Sequence, residues 1–314
     1  MKRIFFRTLD ALLYMRHAKL VFSFRRRVGY WPRITLPVHY HEKYLWRKLF
    51  DHDPRFTECA DKLLCKERVR RMFPDLKVAE TLWAGDDPRD IPDAALSGDC
   101  VVKANHGSGW NMLVHGGKVD RAELIRRADK WMNRRYYGRG RGEWAYKHIR
   151  PRLFVEEMVM SGGRPVDREY KCYVAGGRIL YVFMKIDRHG ESPADVILDE
   201  DGIARDTLVD RVSPTMLIPR PEHFDTIAAT ALRMGAGFDF VRVDLYEADG
   251  VVWFSEFTFY PLSGYSSVGW PELEDRIDRA WDLRRSWFMT TPQHGWRKLY
   301  AARLGRTLDA ADLA

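Results

Sequence analysis

Asp244 and Glu256 stand on either side of Ala248-Asp249-Gly250 within FVRVDLYEADGVVWFSEF (240–257), where two carboxylates could share one divalent cation. The two alternating runs read as a β-hairpin. A three-residue loop with glycine last suits a type I turn closed by a left-handed residue. That register pairs Glu247 with Val251, Asp244 with Phe254, and Arg242 with Glu256. Val241, Val243, Leu245, Val251, Trp253 and Phe257 then share an apolar face, and Arg242, Asp244, Tyr246 and Glu256 share the other. Asp244 and Glu256 become diagonal neighbours with backbones roughly 7 Å apart, close enough for their carboxylates to converge. Hard oxygen ligands with no neighbouring His or Cys suit magnesium, or manganese as its alternative, better than zinc. The plainer alternative is a solvated strand face on which Arg242 neutralises both acids.

A second set of residues could grip phosphate. Lys103 lies on the strand VVKA that enters NHGSGWN, so its ammonium could meet a phosphate wrapped by the backbone amides of Gly107, Ser108 and Gly109. His106 sits in that loop, where it either contacts phosphate or makes a loop hydrogen bond. In VEEMV, Glu156, Glu157 and Met158 close a strand, where backbone groups could meet an adenine edge and a carboxylate could take ribose hydroxyls. Neither a P-loop nor a strand-following GxGxxG occurs, which argues against the two commonest nucleotide folds. His39, His41 and Glu42 resemble a metal triplet, yet no Cys or His at zinc-site spacing accompanies them, so they read as packing residues. No Ser/His/Asp or Cys/His nucleophile pattern stands out, so the chemistry expected is positioning and charge neutralisation.

The elements that must hold these residues follow from periodicity. Strands are expected at 99–104, 152–157, 170–175 and 179–185, with a second run, MLVH, after the glycine tip. Asp120 and Glu123 form a capping-box pattern opening a helix with Leu124, Ala128 and Trp131 on one face. Pro221 opens another, with Phe224, Ile227, Ala231 and Leu232 facing inward. From Met1 to Val28 the chain is basic with Phe5, Leu9, Leu12 and Leu13 at helical spacing; it either docks on the fold or lies on an anionic membrane. The run 134–141 (RRYYGRGR) reads as a lid loop gathering anions rather than a nucleic-acid segment.

With 314 residues, 46% hydrophobic and 31% charged, the chain is long enough for one or two packed domains of globular composition. Its net charge of +8 points to an anionic partner. Four cysteines without CxxC spacing suggest reduced, buried thiols in a cytoplasmic protein. Arg7 and Asp10 interrupt any signal peptide, and no uncharged stretch could span a bilayer.

The order of Lys strand, glycine tip, VEE strand, EYK strand and Asp/Glu hairpin resembles that of ATP-grasp enzymes. More narrowly, the chain resembles the TupA-like (teichuronopeptide biosynthesis) ATP-grasp family of surface-polysaccharide gene clusters. The blocks carrying the resemblance are HEKYLWRKLFDHDPRFTECADK (41–62), VVKANHGSGWNMLV (101–114), EWAYKHIRPRLFVEEMV (143–159), REYKCYVAGG (168–177), FVRVDLY (240–246) and SEFTFYPLSG (255–264). The resemblance implies an α+β ATP-grasp fold, with nucleotide between a small lid subdomain (76–157) and a larger antiparallel-sheet core (158–314), after an N-terminal helical segment (1–75). It also implies roles: Lys103 and the 107–109 loop on phosphates, Glu156, Glu157 and Met158 at adenine and ribose, Lys171 and Arg242 near the triphosphate, Asp244 and Glu256 on magnesium. Lys62 and Lys66 fall in the family's DK segment, with a phosphate or a structural surface role. Where the family pattern often carries an asparagine for a second magnesium, this chain has Thr258, which stays on the metal face.

The activity implied is ligation of a carboxylate to an amine through an acyl phosphate. The substrates implied are a uronic acid of a surface glycan or its precursor and an amino acid or amine, with 260–265 (YPLSGY) as substrate rim. The expected location is cytoplasmic, at the inner face of the membrane if residues 1–28 touch it. Two alternatives remain at this stage: an ATP-dependent kinase of a sugar hydroxyl, and a non-enzymatic module binding anionic glycan or nucleic acid.

Overall fold

Strands with one apolar and one polar face build the larger of the two main sheets. In the computed structural model of the chain, residues 2–134, 136, 141–187, 192–209 and 213–312 are described. The larger sheet has the order β1 (Lys77–Val78), β15 (Val251–Thr258), β14 (Phe240–Ala248), β8 (Glu169–Ala175), β9 (Arg178–Ile186), β10 (Ala194–Leu198) and β11 (Ala204–Arg205). All its pairings are antiparallel except that of β1 with β15. A smaller antiparallel sheet runs β2 (Thr81–Gly85), β5 (Leu153–Glu157), β3 (Cys100–Ala104) and β4 (Asn111–Val114). Two short hairpins, β6 (Met160–Ser161) with β7 (Arg164–Pro165) and β12 (Leu208–Val209) with β13 (Ser213–Pro214), complete the strands described. The α+β expectation is met, and residues 81–157 form the smaller sheet while β1 joins the larger one.

One face of the larger sheet is apolar: Cys172, Val174, Val182, Met184, Val241, Val243 and Leu245 pack against α7 (Phe224–Gly235) and against α4 (Pro54–Ala60) and α5 (Lys62–Met72). In α7, Phe224, Ile227, Ala231 and Met234 recur at helical spacing on the buried side, and burying Phe224 or Ile227 contributes roughly 1.5–3 kcal/mol each. The helix runs from Phe224, and the turn that begins at Pro221, whose carbonyl accepts from Phe224 N–H at 3.2 Å, leads into it. Among the described residues, α3 (Tyr40–Leu49) and α8 (Pro271–Ala280) cover one end of the opposite face. In the smaller sheet, Val102, Ala104, Val114, Leu153 and Val155 pack on α6 (Arg121–Met132), which Asp120 caps by accepting from Glu123 N–H at 3.1 Å.

The N-terminal segment is two helices, α1 (Lys2–Arg16) and α2 (Ala18–Val28), divided at His17. They bury Phe6, Leu13, Leu20, Val21 and Phe24 against the core, which leaves Leu12 outside. α9 (Trp287–Thr290) and α10 (Gly295–Asp312) pack beside them through Phe288, Tyr300 and Leu304. Among the described residues, no helix is long and apolar enough to cross a membrane. The four cysteines are buried and unpaired. Most of the 134–141 run lies outside the described residues.

The central hairpin departs from the sequence register. Asp249 and Gly250 both have positive φ, 51° and 77°, and Ala248 pairs directly with Val251, so the loop has two residues rather than three; positive φ at both loop positions is the type I′ pattern. A β-bulge between Asp244 and Leu245 then absorbs Ser255. On the turn side of the bulge Val252 and Phe254 face the core, in place of Val251 and Trp253. Beyond it the phase is restored, and Asp244 lies directly opposite Glu256 instead of diagonal to it, with Arg242 opposite Thr258.

Candidate functional site

Strand alternation sets three cross-strand rows on the polar face of the larger sheet. The first row is Lys185, Glu169 and Tyr246; the second is Lys171, Asp244 and Glu256; the third is Tyr181, Tyr173, Arg242 and Thr258. The middle row is a charge network. Arg242 grips Asp244 with both arms, Nε to Oδ1 at 2.7 Å and Nη2 to Oδ2 at 2.6 Å, and also reaches Glu256 at 3.4 Å. Lys171 donates to Asp244 at 3.0 Å and lies 2.8 Å from Glu169. Burial pushes the Asp244 carboxyl up against the pull of Arg242 and Lys171. Burial acts on Glu256 as well, but Lys62, Arg242, Lys171 and Lys103 outweigh it and hold its carboxyl at about 2. Two carboxylates so placed could hold a hard cation that takes its remaining ligands from phosphate and water. Among the described residues no group of three or more His, Cys, Asp or Glu forms a self-contained metal cage. Thr258 keeps the carboxylate face, two residues beyond Glu256.

On one side of that row, a cleft opens between the two sheets, lined by Lys103, Glu156 and Glu157 from the smaller sheet, Met158 just beyond its strand, and Tyr246 and Glu256 from the larger. Glu156 bridges the ammonium groups of Lys103 and Lys66, so Lys66 is no surface residue. Burial would raise the Glu156 carboxyl, but the two lysines keep it below the usual range. Glu157 turns its carboxylate to Glu80 N–H at 2.7 Å, and Met158 N–H donates to Asp99 O at 3.3 Å.

The glycine tip is built onto the start of α5. Asp61 caps that helix by accepting from Leu63 and Leu64 N–H, and its other oxygen takes the Asn105 amide at 3.0 Å. Lys62 therefore sits under the loop, donating to Gly107 O at 2.5 Å and lying 3.7 Å from Glu256. A Cβ at Gly107 would run into the Trp110 ring, so only glycine fits, and Gly109 takes φ of +71°. Ser108 hydrogen-bonds Tyr136. His106 is buried, with Nδ1 3.1 Å from Asn105 Oδ1 and Nε2 3.2 Å from Arg134 O, and burial lowers its pKa, so the neutral ring donates to one of these oxygens at a time. Its loop hydrogen bonds are the arrangement present.

On the other side of the row lies a cavity of about 270 Å³ that shares Lys171 and Arg242 with it. Tyr40, Tyr44, Tyr173 and Tyr181 line this cavity, and the last two stack with ring centres 4.1 Å apart. Ser266 and Ser267 line it too. Its rim is the turn Pro261–Gly264, where Leu262 and Ser263 carry positive φ of 45° and 58°; strained backbone of this kind persists only where neighbours over-determine it. Lys48 Nζ donates to Ser263 O at 2.8 Å, Glu143 accepts from the Ser263 hydroxyl, and His41 Nδ1 meets Gly264 O at 2.7 Å. Burial lowers Lys48 to about 7. His39 pairs with Asp278, and Glu42 accepts backbone N–H groups at Arg33, Val38 and His39, so that triplet is structural. The tyrosine cavity was not foreseen from sequence, although the alternation Glu169, Lys171, Tyr173 already put Tyr173 on the lysine's face.

The family described as TupA-like ATPgrasp matches residues 42–279. No curated protein matches the chain. Among solved structures, the D-alanine–D-alanine ligase of Bacillus anthracis complexed with ATP is 15% identical, over 81% of this chain and 67% of that one, with a TM-score of 0.43. The ATP-grasp ligase PsnB complexed with a minimal precursor is 14% identical, over 73% of this chain and 61% of that one, with a TM-score of 0.41. A RiPP-associated ATP-grasp ligase of Chryseobacterium gregarium, in complex with ADP and a leader and core peptide, is 16% identical, over 72% of this chain and 58% of that one, with a TM-score of 0.34. The chain thus spans about three fifths of the length of PsnB.

Proposed function

Because the chain belongs to the TupA-like ATP-grasp family, we propose that it is an ATP- and magnesium-dependent ligase that joins a carboxylate to an amine through an acyl phosphate. The observation that carries this reading is the row Lys171, Asp244 and Glu256 standing between two cavities. In the reading, ATP occupies the cleft between the sheets, with Glu156, Glu157 and Met158 at adenine and ribose and Lys103 and the loop Gly107, Ser108 and Gly109 on the phosphates. The acid occupies the tyrosine cavity, its carboxylate toward Arg242 and Lys171.

Asp244 and Glu256, with Thr258 beside them, hold magnesium, which supplies neutralisation of phosphate charge when bound. Lys103, Lys171 and Arg242 oppose the negative charge that develops on the transferring group, and their placement is fixed by strand register rather than by mobile loops. One carboxylate oxygen of the acid bonds to the γ-phosphorus as the bond to the β–γ bridging oxygen breaks and ADP departs. The amine nitrogen then bonds the acyl carbon, inorganic phosphate leaves, and the nitrogen gives up its proton to water. The substrates assigned in this reading are a uronic acid of a surface glycan or its precursor and an amino acid or amine, with the reaction in the cytoplasm.

The test is a screen of sugar acids and amines with ATP and magnesium, reading phosphate release and product mass. Phosphate release that requires the amine, with an amide product, supports the ligase. A stable phosphorylated sugar overturns it in favour of a kinase. Absence of magnesium-dependent ATP binding in the wild type, or its persistence at full strength in Asp244→Asn, overturns the nucleotide reading altogether.

A further inference from the structure

The first helix pair lies outside residues 42–279 and its outer surface takes no part in the two cavities. The inner side of α2 is fixed: Leu20, Val21 and Phe24 are buried, and Arg27 lies 5.6 Å over the Tyr265 ring. The outer side is apolar and basic together. Phe22 is 62% exposed and meets Trp31, itself 50% exposed, edge-on at 5.5 Å; Trp31 also stacks on Tyr14 of α1. Lys19, Phe22, Arg25 and Arg26 line one open groove at this place. From Ile4 to Arg33 the sequence contains a single carboxylate, Asp10, which is turned inward and accepts from Thr35 N–H and hydroxyl, both at 2.8 Å. Arg7 and Arg16 add exposed cations on α1.

We propose that this face docks the protein on an anionic lipid surface, with Phe22 and Trp31 at headgroup depth and Lys19, Arg25 and Arg26 against the lipid phosphates. Aromatic rings favour the membrane–water boundary, and each cation near an anionic leaflet adds to binding. A nucleic acid would also draw the cations and could stack on the two rings, but the aliphatic Ile4 and Met15, 67% and 72% exposed on α1, gain from an apolar phase and nothing from phosphate or base edges. Entering the interface is what removes such side chains from water. Through Phe24 and Arg27 the docked helix touches Tyr265, next to the rim of the tyrosine cavity, so the surface and that cavity are mechanically joined. The docking does not depend on the ligase reading.

The experiment is co-sedimentation of the full chain with vesicles of phosphatidylcholine alone or mixed with phosphatidylglycerol, using wild type, Phe22→Ser with Trp31→Ser, and Arg25→Gln with Arg26→Gln. All four side chains are exposed, so each variant is expected to stay folded, and its melting temperature, measured alongside, checks this. Wild type is expected on the mixed vesicles and not on phosphatidylcholine. The arginine variant is expected to bind about thirtyfold more weakly, and the aromatic variant at least about tenfold more weakly. Equal binding by all three proteins, or no binding to mixed vesicles, overturns the proposal. So does a duplex oligonucleotide that displaces the vesicles and binds the aromatic variant as tightly as wild type, which would mark a general polyanion surface.

Discussion

Lys62 ties Glu256 to the glycine tip: its ammonium stands 3.7 Å from the carboxylate and donates to the Gly107 carbonyl at 2.5 Å. The phosphate loop and the candidate metal carboxylate are thereby linked through the first residue of α5, on an element belonging to neither sheet. Lys62→Met removes that cation while leaving the helix cap on Asp61 intact. Magnesium–ATP affinity, followed by a fluorescent nucleotide analogue, is expected to fall about tenfold, the worth of one charge-assisted hydrogen bond. Unchanged affinity would reduce Lys62 to a loop tether.

Thr258 shares the carboxylate face with Glu256, opposite Arg242. A hydroxyl is a weaker oxygen donor than an amide carbonyl, so Thr258→Asn is expected to tighten or add a magnesium site. The magnesium dependence of ATP turnover would shift from a single-site curve to a tighter or two-step one. An unaltered curve would place Thr258 outside the metal's reach.

The pieces most legible in the sequence are those governed by simple alternation. Lys103, Glu156 and Lys171 were found on the right strands because apolar neighbours mark the opposite face. The hairpin register was not legible: Ser255 suits either face, so nothing in the pattern announces that it is bulged out, and the bulge compensates for the shorter Asp249-Gly250 turn. Lys66 could not be assigned because its partner Glu156 lies 90 residues away, and the two side chains meet only in the folded chain. The tyrosine cavity escaped for a related reason. Tyr173 and Tyr181 read as ordinary strand residues, and their stacking across β8 and β9 appears only once the strands are paired.

That stacked pair gives a prediction separating the two cavities. Tyr173→Phe and Tyr181→Phe each remove a hydroxyl from the cavity on the far side of the Asp244 row, with ring packing retained. KM for the acid is expected to rise about three- to tenfold, the cost of one neutral hydrogen bond. KM for ATP should stay where it is. A matching rise in both constants would mean that the row does not divide nucleotide from acceptor.

Asp51 offers a test of how a buried charge shapes stability away from the site. Burial pushes its carboxyl up to about 7, with Asp239 adding to the rise and Arg47, 3.8 Å away, opposing it. In the unfolded chain the group titrates near 3.8. Between these values the native state holds a proton that the unfolded state has released, so this group's contribution is fully present below about pH 4 and is lost as pH rises towards 7. Asp51→Asn keeps an oxygen to accept the Phe288 N–H, bonded at 2.8 Å, but cannot titrate. Urea midpoints measured across the window should fall more steeply with pH in wild type than in the variant, at about 1.4 kcal/mol per unit of pKa difference as the ceiling. Other carboxylates titrate in both proteins, which is why the difference between the two curves is the quantity to follow. Parallel curves would show that Asp51 is ionised in the folded protein, with Arg47 neutralising it despite the burial.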